Sequence, residues 1–184
     1  FKKYQEAAKG LIKVMTMACE LDPNHELTRY ASENGVVVSI GHSHATYAEA
    51  MLAIANGATS MTHVFNGMTA LTHREANLAG AAMRCRDTYG EIICDGNHVN
   101  WEAINIFITS KGRDYCVMID DALCAKGCEP GKHELGGQQI EIRANGSAYL
   151  AGTNTLAGGT QKLNYGIKNL VEKALIPVDW AINM

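Results

Sequence analysis

The sequence lacks blocks of like charge. Its 16 basic and 19 acidic residues are scattered along 184 positions and leave a formal charge of −3. Without a basic cluster there is no electrostatic reason to expect nucleic acid or an anionic membrane surface as a partner. The 47% of hydrophobic residues is typical of a packed protein with a core rather than a disordered chain.

The sequence also lacks a long hydrophobic run. The apolar stretch Gly35–Gly41 has the length of a strand, far short of the roughly 20 residues that cross a bilayer. Phe1–Gly10 carries charges and is not followed by the apolar core of a secretory signal. We therefore expect a protein without a membrane span, located in the cytoplasm.

No C-x-x-C pair occurs, although the chain has 6 cysteines. Free thiols in a reducing compartment are the favoured interpretation, with most of them buried in apolar runs. Cys124 and Cys128 are the one pair close enough in sequence to suggest a metal or redox site, and two ligands without partners make a weak site.

Short apolar, β-branched runs predict five buried strands. They lie in Leu11–Met17, Gly35–Ile40, Ala58–Phe65, Glu91–Cys94 and Tyr115–Ile119. Stretches that resemble helices separate them, and three of these, starting at Asn24, Thr46 and Trp101, end just before a glycine. The repeating β-α order predicts an α/β fold with a parallel sheet and helices packed outside it.

The pattern changes after Asp121. Residues around Ala144-Asn145-Gly146 alternate between apolar and polar, which predicts a β-hairpin over about residues 132–151 that turns at Asn-Gly. A last helix is predicted from about Gln161 to Ala174. No linker or second domain boundary is evident, so residues 1–184 are expected to form a single domain.

Polar residues follow four consecutive predicted strands. These residues are His42, His63, His98, and the pair Asp120 and Asp121. In a parallel α/β sheet, reactive groups collect at the carboxyl ends of the strands. Any one of the histidines could have a satisfied structural role, but two imidazoles and a carboxylate together favour a catalytic site for a divalent metal ion.

His44 lies only two residues after His42, yet we expect it in a different role. Thr46 and Glu49 match the T-x-x-E capping box, so a helix begins at about Thr46 and His44 lies in the turn before it. Side chains of alternate residues share a face only while the chain is extended. His44 is therefore expected to be a loop histidine rather than a ligand.

A set of ordered motifs resembles a known family. GHSHATYAEA, GATSMTHVFNGM, HREANLAGAA, DGNHVN, IDDA and TLAGGT are similar, in order and spacing, to motifs of the N-acetylglucosamine-6-phosphate deacetylases of the amidohydrolase superfamily. The resemblance covers about Leu11 to Ala174. It implies that the chain is the second half of a (β/α)8 TIM-type barrel, followed by the β-hairpin and a helix.

The resemblance also implies roles for individual residues. It makes His42 and His63 metal ligands, Asp121 the catalytic acid/base, and Asn66, Gly67 and Arg74 a clamp on the sugar phosphate. His98 would contact the substrate, and Leu156 would cover its acetamido end. From the residues alone, a solvated surface charge is the favoured interpretation of Arg74, and a turn or cap residue is an equal alternative for Asn66.

The implied activity is metal-dependent hydrolysis of N-acetylglucosamine 6-phosphate to glucosamine 6-phosphate and acetate. Zinc is the expected metal, with iron and cobalt as alternatives. The substrate would be the amino-sugar phosphate, and the complete protein is expected to be a homodimer. A non-catalytic fragment that binds sugar phosphate or metal, and another amidohydrolase that acts on a cyclic amide, are the competing interpretations.

The sequence departs from the family in two ways that matter. The glutamate metal ligand of the family, carried in an H-x-E-G-P type segment, has no counterpart here. Asp120 stands where the family commonly has threonine or serine, and two adjacent carboxylates cannot both face one metal. We prefer Asp121 as the acid/base because it keeps the Asp-Ala dipeptide of the family. Because half a barrel leaves strand edges unpaired, the chain is expected to self-associate or to be part of a longer gene product.

Overall fold

Five strands form one sheet in the order in which they occur along the chain. The computed structural model describes residues 1–184. The sheet contains β1 (Val14–Met17), β2 (Val37–Ile40), β3 (Ala58–Met61), β4 (Tyr89–Ile93) and β5 (Cys116–Ile119). The pairings of β1 with β2, β2 with β3 and β3 with β4 are parallel. All five predicted strands are therefore confirmed, and β3 ends before His63 rather than at Phe65.

A helix lies between each strand and the next, as the β-α pattern predicts, and one further helix precedes β1. The helices of this part are α1 (Lys2–Ala7), α2 (Glu26–Glu33), α3 (Tyr47–Ala55), α4 (Asn77–Arg84) and α5 (Trp101–Lys111). Short 3-10 helices lie at Cys19–Leu21 and Arg113–Tyr115. The predicted capping box at the start of α3 is confirmed, since the Glu49 N–H donates to the Thr46 hydroxyl and the Thr46 N–H donates to the Glu49 carboxylate.

The region after Asp121 forms a second, antiparallel sheet. Its strands are β6 (Gly131–Leu135), β7 (Gln138–Ile142), β8 (Ser147–Leu150) and β9 (Leu156–Gly159), paired in that order. The turn at Asn145-Gly146 joins β7 to β8, where the sequence predicts it. The expected single hairpin is wrong in extent: Gly136-Gly137 makes a further turn, and β9 adds a fourth strand. The last helices are α6 (Leu163–Glu172) and α7 (Val178–Asn183).

The chain divides into two compact units. One comprises residues 1–91 and 110–116, and the other comprises residues 92–109 and 117–184. The expectation of a single domain remains a prediction. In the second unit the antiparallel sheet has a small core of its own, in which Leu123 and Ala157 pack against Ala125, Ile140 and Ala148.

All six cysteines are free thiols, in agreement with the sequence interpretation. Cys19, Cys85, Cys94 and Cys116 are buried, whereas Cys124 and Cys128 are exposed. No helix is long and apolar enough to cross a membrane.

The first unit buries the side chain of a basic residue, Lys111. Lys111, at the end of α5, is only 2% exposed, and its ammonium group donates hydrogen bonds to the carbonyl oxygens of Ala82 and Cys85 and to the hydroxyl of Thr88. Ala82 lies in the last turn of α4 and Cys85 follows its end, so Lys111 supplies donors for carbonyls at a helix C-terminus. Burial lowers the pKa of the Lys111 amine to about 8.

We expect this buried amine to make stability rise with pH. Between a folded pKa of about 8 and the ordinary value of 10.5, the unfolded state holds the proton more tightly than the folded state does. The free energy of unfolding of the wild type relative to Lys111→Met should therefore rise by about 3 kcal/mol over this range. Urea unfolding at a series of pH values measures it.

Lys3→Met is the control for this measurement, because Lys3 is exposed on α1. A Lys111→Met difference that depends on pH no more than the Lys3→Met difference does would contradict the lowered pKa of Lys111.

Candidate active site

The two histidines predicted to be metal ligands lie together in the first unit. His42 follows β2 and His63 follows β3, and their ring centroids are 4.6 Å apart with the planes at 85°. His63 is 5% exposed, whereas His42 is exposed. Both have a left-handed backbone, with φ of 47° and 32°. Non-glycine residues seldom adopt this conformation, and when they do they are frequently at functional sites.

The turn that carries His42 is fixed by a carboxylate from another part of the chain. Glu20 accepts a hydrogen bond from the Ser43 hydroxyl at 2.5 Å and another from the His44 N–H at 2.6 Å. Burial raises the pKa of the Glu20 carboxyl, but these two bonds outweigh it and hold the pKa below its usual value. The ionised carboxylate therefore clamps the turn, and His44 is exposed beside it as a loop residue.

Gly67 approaches the ring of His42 closely. A Cβ atom at this position would lie 3.1 Å from Nδ1 of His42, and the backbone of Gly67 has a φ of 54°. The carbonyl oxygen of Gly67 also accepts a hydrogen bond from the Ser43 N–H at 3.0 Å. Both features bring the segment after β3 against the turn after β2.

The structure gives Asn66 a local role. Its side-chain Nδ2 lies 3.3 Å from the carbonyl oxygens of both His63 and Val64, and its N–H donates to the His63 carbonyl at 3.0 Å. The amide thus stabilises the turn that carries His63. Arg74 lies in an exposed turn, where its N–H donates to the Thr72 hydroxyl at 3.3 Å, and its side chain is exposed. The proposed phosphate roles of both residues remain predictions.

His98 in the second unit is held by Asp95, a residue that the sequence reasoning did not single out. Nδ1 of His98 lies 2.7 Å from Oδ2 of Asp95, and the two side chains are 4% and 7% exposed. Burial raises the pKa of the Asp95 carboxyl, but its hydrogen bonds with His98 and Asn97 outweigh this and hold the pKa below its usual value. Asp95 is therefore ionised at neutral pH.

The two adjacent aspartates after β5 lie in different surroundings. The carboxylate of Asp120 pairs with the ammonium group of Lys126. Asp121 is exposed and has a left-handed backbone with a φ of 48°. Because its carboxylate is engaged in this ion pair, Asp120 is less available for chemistry than Asp121. This supports Asp121 as the acid/base, and the assignment remains a prediction.

Gly159 allows the segment of the TLAGGT motif to approach these aspartates. Its N–H donates to the carbonyl of Asp121 at 2.8 Å, and its carbonyl accepts from the Leu123 N–H at 3.1 Å. A Cβ atom at Gly159 would lie 2.1 Å from the carbonyl oxygen of Asp120, a distance that no side chain tolerates. Leu156 begins the same strand, β9, and is partly buried, so its contact with a substrate remains a prediction.

Three residues that support the site were missed by the sequence reasoning. Glu20 and Ser147 make their bonds to residues 23 and 52 positions away, so no local pattern could have identified them. Asp95 was identifiable, because an aspartate three residues before a histidine within a turn commonly accepts hydrogen bonds from the backbone that follows it.

The donor set fits a metal ion only in part. Two imidazoles at 4.6 Å suit zinc, iron or cobalt. No group of three or more His, Cys, Asp or Glu side chains is arranged to hold a metal ion. The residues of this chain therefore supply two nitrogen ligands. A catalytic zinc site typically has about three protein ligands.

The clamp by Glu20 should make stability depend on acid pH. A lowered carboxyl pKa contributes stability that is present above the usual value of 4.5 and is lost as the pH falls through the folded pKa. Glu20→Gln should unfold about 1–3 kcal/mol more easily at neutral pH. Its difference from the wild type should shrink below pH 4.5. Glu33→Gln, at an exposed position of α2, is the matched control. Chemical unfolding at several pH values measures the free energy of unfolding of each variant. If the clamp is absent, the difference between the wild type and Glu20→Gln will be the same at every pH.

Comparison with known proteins links this geometry to one group of enzymes. No protein-family model matches the chain. The chain is 37% identical over 172 residues to N-acetylglucosamine-6-phosphate deacetylase of Bacillus subtilis (strain 168), covering 94% of this chain and 43% of that protein. It is 33% identical over 166 residues to the Homo sapiens protein of the same name, covering 88% and 40%.

Solved structures agree with the sequence relatives. The N-acetyl-D-glucosamine-6-phosphate deacetylase of Mycobacterium smegmatis matches with a TM-score of 0.92 and 31% identity, over 99% of this chain and 48% of that one. A mutant of that enzyme was solved in complex with N-acetyl-D-glucosamine-6-phosphate. The Pasteurella multocida enzyme matches with a TM-score of 0.90 and 31% identity. The chain therefore belongs to the N-acetylglucosamine-6-phosphate deacetylase family and spans less than half the length of the relatives that it matches.

Proposed function

We propose that this chain carries part of the site that hydrolyses the acetamide of N-acetylglucosamine 6-phosphate, with glucosamine 6-phosphate and acetate as products. The observation that carries the proposal is the pair of imidazoles of His42 and His63, 4.6 Å apart at the ends of neighbouring parallel strands. Two such rings fit the nitrogen ligands of a catalytic divalent metal ion. We further propose that the five-stranded sheet is part of a (β/α)8 barrel.

His42 and His63 would hold the ion through one ring nitrogen each, and zinc is the metal that we propose. A bound divalent ion lowers the pKa of a water and polarises a carbonyl group. The pair supplies two nitrogen ligands, and no group of three or more His, Cys, Asp or Glu side chains is arranged to hold a metal ion.

Asp121 would move the proton in this reaction. As a carboxylate it takes a proton from the water that attacks the acetyl carbon. As a carboxylic acid it then gives that proton to the amine nitrogen as the C–N bond breaks. Its exposed side chain can reach a substrate, whereas the neighbouring Asp120 is paired with Lys126.

Binding of the sugar phosphate would use groups that donate hydrogen bonds. The guanidinium group of Arg74 offers a forked pair of donors that suits a phosphate. The side-chain amide of Asn66 lies close to two carbonyl oxygens of its own turn, so its contribution would be to shape the turn and present the backbone at Gly67. His98 and Leu156 would contact the sugar and its acetamido end.

A second candidate function is binding without catalysis. The absence of a third metal ligand favours it for this chain taken alone. In that case the chain would bind sugar phosphate or metal and release no acetate.

Metal binding tests the histidine pair directly. Co²⁺ bound by nitrogen ligands gives visible absorption, so titration of the chain with Co²⁺ should produce a spectrum at one equivalent. His42→Ala and His63→Ala should each weaken binding by at least about tenfold, since each removes one of two protein ligands. His44→Ala is the matched control and should leave binding unchanged. Equal losses in all three variants would contradict the assignment.

Acetate release tests the reaction. With Zn²⁺ or Fe²⁺ present, release from N-acetylglucosamine 6-phosphate should fall by about 10²–10⁴-fold in Asp121→Asn, because the acid/base is lost. Asp120→Asn, the matched control at the adjacent residue, should retain most of the release. A larger loss in Asp120→Asn would reverse the assignment. No release by wild-type chain that binds metal would favour the non-catalytic candidate.

A further inference from the structure

A hydrogen-bond network surrounds His98 in the second unit; it is buried around Asp95, His98 and Ser147 and exposed at Asn145. It consists of Asp95, Asn97 and His98 in the turn after β4, of Asn145 in the turn between β7 and β8, and of Ser147, the first residue of β8. Ser147 is 0% exposed, and the side chains of Asp95 and His98 are nearly as well buried. Buried polar groups of this kind hold their neighbours in one arrangement when all of them are satisfied.

Both oxygens of the Asp95 carboxylate are used. Oδ1 accepts from the N–H groups of Asn97 at 2.8 Å and His98 at 2.9 Å. Oδ2 lies 2.7 Å from Nδ1 of His98 and 3.4 Å from the Ser147 hydroxyl. The carboxylate therefore fixes both the backbone and the ring of the same histidine.

The antiparallel sheet holds this arrangement from the other side. Nδ2 of Asn97 donates to the Ser147 hydroxyl at 2.8 Å and to the Asn145 carbonyl at 3.2 Å. Nδ2 of Asn145 donates in return to Oδ1 of Asn97 at 3.3 Å. The turn between β7 and β8 is thus bound to the turn that carries His98, and side chains of both segments take part in the hydrogen bonds.

We propose that Asp95, held in place by the β7–β8 turn, is the positioning residue of His98. Because an ionised carboxylate only accepts hydrogen bonds, it keeps the proton of the neutral imidazole on Nδ1. Nε2 is then the ring atom offered to a ligand, as an acceptor for a sugar hydroxyl or an amide N–H. The part of this inference that concerns a ligand rests on the proposed function, and the part that concerns the tautomer does not.

Another histidine of the same unit provides an internal reference. Nε2 of His133 lies 2.9 Å from the carbonyl oxygen of Glu129, which only accepts hydrogen bonds. His133 should therefore carry its proton on Nε2, whereas His98 should carry it on Nδ1. The two rings are expected to differ in tautomer within one protein.

Nitrogen-15 NMR of the histidine rings at a pH where they are neutral tests this directly. In the wild type, His98 should show the Nδ1–H pattern and His133 the Nε2–H pattern. In Asp95→Asn, the side-chain amide can donate to Nδ1, so His98 should shift towards Nε2–H while His133 stays unchanged. An Nε2–H pattern for His98 in the wild type, or no change in the variant, would overturn the proposal.

Ser147→Ala tests the contribution of the turn and serves as a second variant if Asp95→Asn does not fold. It removes the hydroxyl that contacts both Asp95 and Asn97. We expect a mixture of the two His98 tautomers. A spectrum identical to that of the wild type would overturn the role of the β7–β8 turn.

A double-mutant comparison separates positioning from general stabilisation. Binding of N-acetylglucosamine 6-phosphate, followed by NMR titration, should weaken about tenfold in Asp95→Asn, because the loss of one hydrogen bond of this kind costs about that factor. In a His98→Asn background, Asp95→Asn should have no further effect. An equal loss in both backgrounds would refute action through His98. Failure of the wild type to bind, with His98 in the Nδ1–H form, would refute the proposed function and leave the tautomer assignment standing.

Discussion

A left-handed backbone at a non-glycine residue, two positions past the end of a strand, is the constraint on which the placement of the candidate site residues depends. His42, His63 and Asp121 all have this conformation. It costs roughly 1–2 kcal/mol at each residue, so neighbouring groups have to stabilise it. Carbonyl oxygens of two of the three residues accept hydrogen bonds from N–H groups further along the chain, those of Asn66 and Gly159.

Carboxylates stabilise the turns that carry the functional side chains. Glu20 accepts hydrogen bonds from two groups of the turn after β2, and Asp95 accepts them from the turn after β4. Both have a lowered pKa because donors outweigh the cost of burial. Each is therefore ionised at neutral pH and able to accept several N–H and O–H donors at once, which orders a loop without regular secondary structure.

Much of the fold could be predicted because its signals are local. Short apolar runs identified all five strands of the first sheet, and the T-x-x-E pattern identified the start of α3. The turn at Asn145-Gly146 was predictable for the same reason, whereas β9 was not, since Ala157, Gly158 and Gly159 have little strand propensity. That strand forms because its backbone pairs with β8, a contact that is specified elsewhere in the sequence.

The sequence by itself determined which residue types stand at the ends of the strands, and its motifs identified His42, His63 and Asp121 as candidates. Only the tertiary structure decided what surrounds them: that the two imidazoles lie 4.6 Å apart, that Asp120 pairs with Lys126, and that Asp95 fixes His98. The physical reason is range. Periodicity and capping depend on neighbours within a few residues, whereas hydrogen bonds and ion pairs form wherever the folded chain brings a donor and an acceptor within about 3 Å.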